Sequence, residues 1–221
     1  MMRTVFARFD FKSSDLEAEE RNYAEVHVAL AKQLPGLRQY ITGRLRAPSG
    51  QQPPHYRAAL LSFDSAAEAE AAMRKSPVAK AVAADGREHM TNLLWLEMDS
   101  EIIVPFEAKP PGNKYLLMAA EFDLQVEKAG FSDAASAEQR YLGEHTRIAR
   151  RLPGLRHYMV GRLVEAAHEK PDRLRIAFLV FDDADALKTA YRSPVGVELI
   201  KDEEATIANA RVYRIDATVQ L

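Results

Sequence analysis

The chain has 221 residues, with 30 Lys and Arg against 32 Asp and Glu, six His and no Cys. The absence of cysteine excludes a disulfide framework, a thiolate nucleophile and a zinc–thiolate site, and a net charge of −2 gives no general pull toward nucleic acid or an anionic membrane. With 47% hydrophobic and 28% charged residues the chain is long enough for two domains, each with a core of its own. No apolar run reaches the roughly 18 residues of a membrane span, and MMRTVFARFDFKSSD lacks the apolar region of a signal peptide. A cytoplasmic protein with no nucleic-acid or membrane partner is the expectation.

In chain order, Thr4 to Phe9 alternates β-branched and aromatic residues and reads as a strand. Ser13, Ser14 or Asp15 can cap a helix, with Glu17 placed as the third-position partner of Ser14. Its apolar face runs Leu16, Tyr23, His27, Leu30, Leu34, and Pro35-Gly36 ends it. Leu37 to Arg46 is a second strand and Tyr56 to Phe63 a third, joined by the loop APSGQQPPH. Alanine-rich residues 65–74 form a short helix, Ser76-Pro77 opens another that runs to about His89, and Asn92 to Val104 is the last strand. The order is β-α-β-β-α-β with the second helix broken.

The same order then recurs. LPGLRQYITGRL at 34–45 returns as LPGLRHYMVGRL at 152–163, an offset of 152 − 34 = 118. The register holds from Tyr23/Tyr141 and His27/His145 to Phe63-Asp64/Phe181-Asp182. One residue then drops out of the second copy, and Ser76-Pro77 pairs with Ser193-Pro194 at 193 − 76 = 117. Asp85 pairs with Asp202 at the same offset. The second copy places its elements at 115–123, 136–151, 155–164, 173–181, 183–208 and 209–219, after an extra stretch at 126–134. A duplicated module is the economical reading. It divides the chain into 1–104, a Pro/Gly-bearing linker at 105–114, and 115–221.

This order is the split βαβ, or ferredoxin-like, plan: an α+β module with an antiparallel sheet and helices on one face. Two such modules can pack sheet to sheet as an α+β barrel, within one chain or by exchange with a second copy. Alternation in the second strand assigns Leu37, Ile41 and Leu45 to the helix side, and Tyr40, Thr42 and Arg44 to the other. Arg44 and its counterpart Arg162 then offer polar handles to an interior or snorkel to solvent at a rim. An inverted pattern of charge, Arg8 and Glu97 against Glu121 and Arg214, is compatible with cross-strand ion pairs. His55, His89, His157 and His168 show no metal-ligand spacing, and no metal is expected.

With the helix histidine, LPGLRxY, the Phe-Asp after the third strand, Ser-Pro and the later aspartate in place, the sequence resembles the EthD-like family of dimeric α+β barrel proteins. The resemblance covers about 3–103 and 114–218. It implies two modules closing a barrel around a cavity, an internal pseudo-dimer to which a homodimer can be added. Relatives in the wider group include cofactor-free isomerases, cyclases and lyases of small aromatic or lactone-type compounds, and haem-linked oxygenases. Some use a helix histidine with a strand tyrosine. Carried over, these are His27 with Tyr40 and His145 with Tyr158. The histidine would move a proton and the tyrosine would hold a developing oxyanion. Arg44 and Arg162 would hold a carboxylate, Glu144 matches the acidic-His pattern of the family, and Asp85 and Asp202 would orient a pocket group or face water. Glu144 has no equivalent before His27, where Val26 stands, which leans the choice toward the second copy. The implied activity is cofactor-independent proton transfer. The alternatives are a non-catalytic binder of the same ligands, serving an oxidative degradation pathway, and a haem protein with His27 or His145 as axial ligand.

Overall fold

A computed structural model describes residues 1–46, 53–107, 112–125, 133–164 and 173–221. Most of the 47–55 loop, residues 108–111 of the linker and nearly all of the extra stretch, 126–132, lie outside the described residues. The first module runs β1 (Met2–Phe11), α1 (residues 16–31), β2 (Leu37–Arg46), β3 (Arg57–Phe63), α2 (residues 66–75), α3 (Pro77–His89) and β4 (Met90–Val104). The second runs β5 (Lys114–Leu124), α4 (residues 134–149), β6 (Leu155–Val164), β7 (Arg175–Phe181), α5 (Ala184–Arg192), α6 (Pro194–Thr206) and β8 (Ile207–Val219). The fold is α+β, and the strands hydrogen-bond in one closed order, β1-β3-β2-β8-β5-β7-β6-β4. Within it each module keeps the ferredoxin-like order, β4-β1-β3-β2 and β8-β5-β7-β6. By compactness the chain divides into a unit of Met1–Ser100, Val164–Lys170 and Ile215–Leu221, and one of Glu101–Leu163 and Pro171–Arg214.

In the first unit β1 lies antiparallel between β3 and β4, with Val5 opposite Leu61 and Glu97. Arg8 falls opposite Leu94, so the expected Arg8–Glu97 pair does not form across these strands; Glu97 is instead held by Arg3 and Arg74. The β1–β4 register shifts at Asn92, which takes a positive φ of 49° and donates to Asp10. Asn209 does the same in the second unit, with Asp123. Asn tolerates this region because its short amide can bond locally.

The repeated LPGLRxY segment is mostly architecture. Gly36 and Gly154 adopt φ of 72° and 75°, the left-handed turn that ends each helix. Leu34 and Leu37 enter the first core, Leu152 the second. Arg38 pairs with Asp64 and Arg156 with Asp182, which explains the Phe-Asp of the repeat. The β2–β3 register also shifts between Leu37 and Gln39. That bulge corrects the face assignment. Leu37 and Tyr40 now share the helix side, and Ile41 turns to the opposite face. The second unit repeats the shift between Leu155 and His157, and Tyr158 lies in the helix-side core.

Each long helix contains a π turn, at Tyr23–His27 in α1 and Tyr141–His145 in α4. The N–H of Val28 reaches back to the carbonyl of Tyr23, five residues away. This re-aims the face: Val28 and Ala31 are buried, while Leu16, expected on it, is exposed. Asp15 rather than Ser14 caps α1, accepting from Ala18. A third π turn, Ala71–Lys75, occurs in α2 but not in α5. A π turn is one residue inserted into an α-helix. It accounts for the residue by which the copies differ.

Candidate functional site

The π turns bring a tyrosine and a histidine into a ring stack. In α1, Tyr23 and His27 lie 5.0 Å apart between centroids; in α4, Tyr141 and His145 lie 4.7 Å apart. Each histidine is then tied to α3 or α6 by a carboxylate: His27 Nδ1 to Asp85 Oδ2 at 2.7 Å, His145 Nδ1 to Asp202 Oδ2 at 2.7 Å. A carboxylate accepts, so in each histidine Nδ1 carries a proton and Nε2 is the nitrogen turned away from the carboxylate. Asp85 and Asp202 are therefore orienting residues, one step removed from any substrate. On the tyrosine side, the Arg57 guanidinium sits 4.3 Å from the Tyr23 centroid and is paired with Glu20. Arg175 sits 4.6 Å from that of Tyr141 and is paired with Glu138. The spacing of sequence alone did not single out Tyr23, Arg57 or Glu20 as a connected set. Their recurrence as Tyr141, Arg175 and Glu138 was the available signal.

The strand tyrosines complete the set. Tyr40 and Tyr23 share a hydroxyl–hydroxyl hydrogen bond of 3.1 Å, and Tyr23 bonds Thr42 at 2.8 Å, which donates to the carbonyl of Ala58. In the second module Val160 stands at the place of Thr42 and offers no hydroxyl. Burial, helped by Tyr23, pushes the Tyr40 hydroxyl well above 10, so it remains a donor at neutral pH. Burial likewise raises Tyr158, and pushes Tyr141 up to about 12. Burial holds His27 below its ordinary value, against the upward pull of Asp85. It is a neutral base at pH 7.

Space separates the two copies. A cavity of about 440 Å³ lies between the first sheet and its helices. Tyr23, His27 and Tyr40 form its polar wall, and Phe9, Leu61, Met73, Gly86 and Trp95 are among its apolar lining. It lies on the helix face of one module's sheet, not on the face the alternation had indicated. The second module's larger cavities are lined by other residues, and neither His145 nor Tyr158 borders them. The His27 side chain keeps 12% of its surface exposed and His145 only 5%.

The remaining candidates do not converge. Arg44 is exposed and lies over the Tyr56 ring at 4.8 Å, the rim position. Arg162 is exposed and borders a separate surface cavity with Glu138. Glu144 faces solvent and pairs with Arg140 at 3.3 Å. The acid beside His145 is Asp202. Arg140 also donates to Asp202 at 2.6 Å, where Asn22 makes only a 3.4 Å bond to Asp85. Burial raises the Asp202 carboxyl, but His145 and Arg140 outweigh it and hold it below its ordinary range.

Residues 13–92 match the family profile of the EthD domain. The first module is an EthD domain. No functionally curated protein matches the chain. Among solved structures, a candidate monooxygenase from Lactobacillus acidophilus is similar over 99% of this chain and 95% of its own, at 13% identity and a TM-score of 0.70. An anthrone oxidase-like protein covers 99% and 93% at 14% identity and a TM-score of 0.56. A chlorite dismutase from Candidatus Nitrospira defluvii covers 97% and 91% at 13% identity, with a TM-score of 0.56. Identities this low establish a shared fold. The EthD domain carries the open cavity, and among the described residues no cluster of three or more His, Asp or Glu is arranged to hold a metal ion.

Proposed function

We propose that the EthD domain of the first module binds a small, largely apolar aromatic or lactone-type compound and moves a proton on it without a cofactor. One observation carries this reading: His27, oriented by Asp85, stands in the wall of an apolar cavity beside Tyr40. The volume lies within the range of ligand pockets. His27 Nε2 takes a proton from a C–H or O–H of the ligand, and the imidazolium formed is stabilised by Asp85. The electron pair left behind settles on a ligand oxygen, and the Tyr40 hydroxyl turns its proton from Tyr23 to that oxygen. Return of the proton to another atom is an isomerisation; loss of a leaving group is a lyase reaction.

The test is deuterium exchange. Aromatic acids and lactones are incubated with the protein in D₂O and followed by proton NMR. Exchange that disappears in His27→Ala supports the reading. Binding with no exchange in any compound leaves the alternative, a carrier or accessory protein. A haem-linked reading draws on the names of the monooxygenase and chlorite dismutase neighbours, and on the carboxylate behind His27, an arrangement that also orients ligating histidines. Added haem giving no Soret band removes it.

A further inference from the structure

The cavity of the first module is apolar along most of its wall and carries one fixed charge. Of the residues that line it, Arg87 alone is an Asp, Glu, Lys or Arg. Arg87 sits in the last turn of α3, next to Gly86, and is exposed, so it stands where the cavity meets solvent. Among the described residues its side chain has no ion-pair or hydrogen-bond partner. The acid beside it, Glu88, turns to His89, 4.0 Å from Nε2. Lys12 donates to the Arg87 carbonyl and adds positive charge to the same turn. Arg57 and Arg74, by contrast, are committed to Glu20 and Glu97. Arg87 keeps its guanidinium donors for something outside the chain. At the offset of 117, Gly86-Arg87 correspond to Glu203-Glu204. The second module thus has acids at both places, and Glu204 borders neither of its larger cavities. The unpaired cation goes with the space beside the histidine.

We infer that the ligand of the first module is a monoanionic organic acid, with an apolar body in the cavity and a carboxylate at its mouth bonded by Arg87. A planar guanidinium offers a carboxylate two parallel N–H donors. The mouth is open to water, so the carboxylate keeps part of its hydration there. A second charge carried inward would meet Phe9, Leu61 and Trp95 and no further cation, which disfavours a dicarboxylate. His27 and Tyr40 are more buried parts of the same wall, so the proton moved lies on the apolar body, away from the carboxylate. This rests on the proposed function and narrows its substrate class: the aromatic or lactone-type body bears one acid group.

Calorimetric titration of the full chain with 4-phenylbutyrate and with 4-phenylbutanamide tests it, because the two share a shape and differ in charge. Trp95, the only tryptophan, lines the cavity and reports by its fluorescence whether binding is in the first module. The expected result is one site per chain, with the acid about tenfold tighter than the amide. Arg87→Ala removes that preference and leaves amide binding within about twofold. Arg87→Glu, which copies the second module, reverses the preference. Arg87 is exposed, so both variants keep the circular dichroism spectrum. If neither compound binds and Trp95 does not respond, the cavity reading fails, and this inference with it. Acid and amide binding equally well, or a preference for the acid that survives in Arg87→Ala, overturns the inference alone and leaves the proton-transfer reading in place.

Discussion

The two modules hold the same five-residue arrangement, Asp–His–Tyr–Arg–Glu, around different amounts of space. Asp85, His27, Tyr23, Arg57 and Glu20 border a cavity or stand directly behind its wall. Asp202, His145, Tyr141, Arg175 and Glu138 repeat the contacts, but there only Arg175 and Glu138, at the far end of the set from the histidine, border a described cavity. The polar set therefore does not make the site. In the second module it joins helix to helix and helix to sheet; in the reaction proposed for the first, the same groups serve beside open space as base and donor. What differs is a glycine and one helical insertion, neither of which is a chemical group of the proposed reaction.

The largest effects should break the equivalence outright. His27→Ala is expected to lower ligand proton exchange by about 10²- to 10⁴-fold, while His145→Ala leaves it within about twofold; NMR exchange rates in D₂O decide. Asp85→Asn removes the group that raises the His27 pKa. Its residual activity should therefore persist to lower pH than the wild-type acid limb, which itself lies below pH 6.5. A limb that moves to higher pH would contradict the pairing.

Next come two effects of similar size in stability. Leu199→Ala should cost about 3 kcal/mol in urea unfolding, because it empties space in the packed core of the second module. Met73→Ala, which borders space already empty, should cost clearly less. His157 is buried, bonds the Val104 carbonyl, and is pushed down by burial to about 4. It folds neutral, so its stability contribution is complete above pH 6.5 and is lost as pH falls toward 4, by about 3 kcal/mol in all. His157→Gln, the residue of the first module at Gln39, should flatten that loss in acid titrations monitored by circular dichroism. The smallest effect should be the same in both halves. Ser76 accepts from Ala79 and Ser193 from Gly196, each capping a helix that begins with proline. Ser76→Ala and Ser193→Ala should each cost about 1 kcal/mol; unequal losses would show that the caps are not equivalent.

Much of this was readable from the chain, and the failures have local causes. The element order and the ferredoxin-like plan followed from periodicity and from the repeat. The histidines and aspartates were found because they recur, and each aspartate holds its histidine. Strict alternation failed at Tyr40 because a bulge after Leu37 reverses parity, and no residue there announces it. Helical spacing failed at Leu16 and Leu30 because a π turn shifts the face by one residue. Glu144 precedes His145 in sequence, but adjacent residues on a helix point about 100° apart, and its side chain pairs with Arg140 instead. What sets the surroundings of the two histidines apart was beyond motif reading. It lies in Gly86 and Met73, residues that look like ordinary variation until they are placed around one volume.

The π turn of α2 has a consequence for ancestry. The two copies differ there by a single codon of length, and α2 absorbs it while Ser76 still caps α3. A site opened or filled by gradual substitution must pass through several intermediate packings. One in-frame insertion rotates the end of the helix about its axis in a single event. After duplication, a gene could thus divide labour between its halves in one step, with one half left to scaffold and the other free to explore ligands.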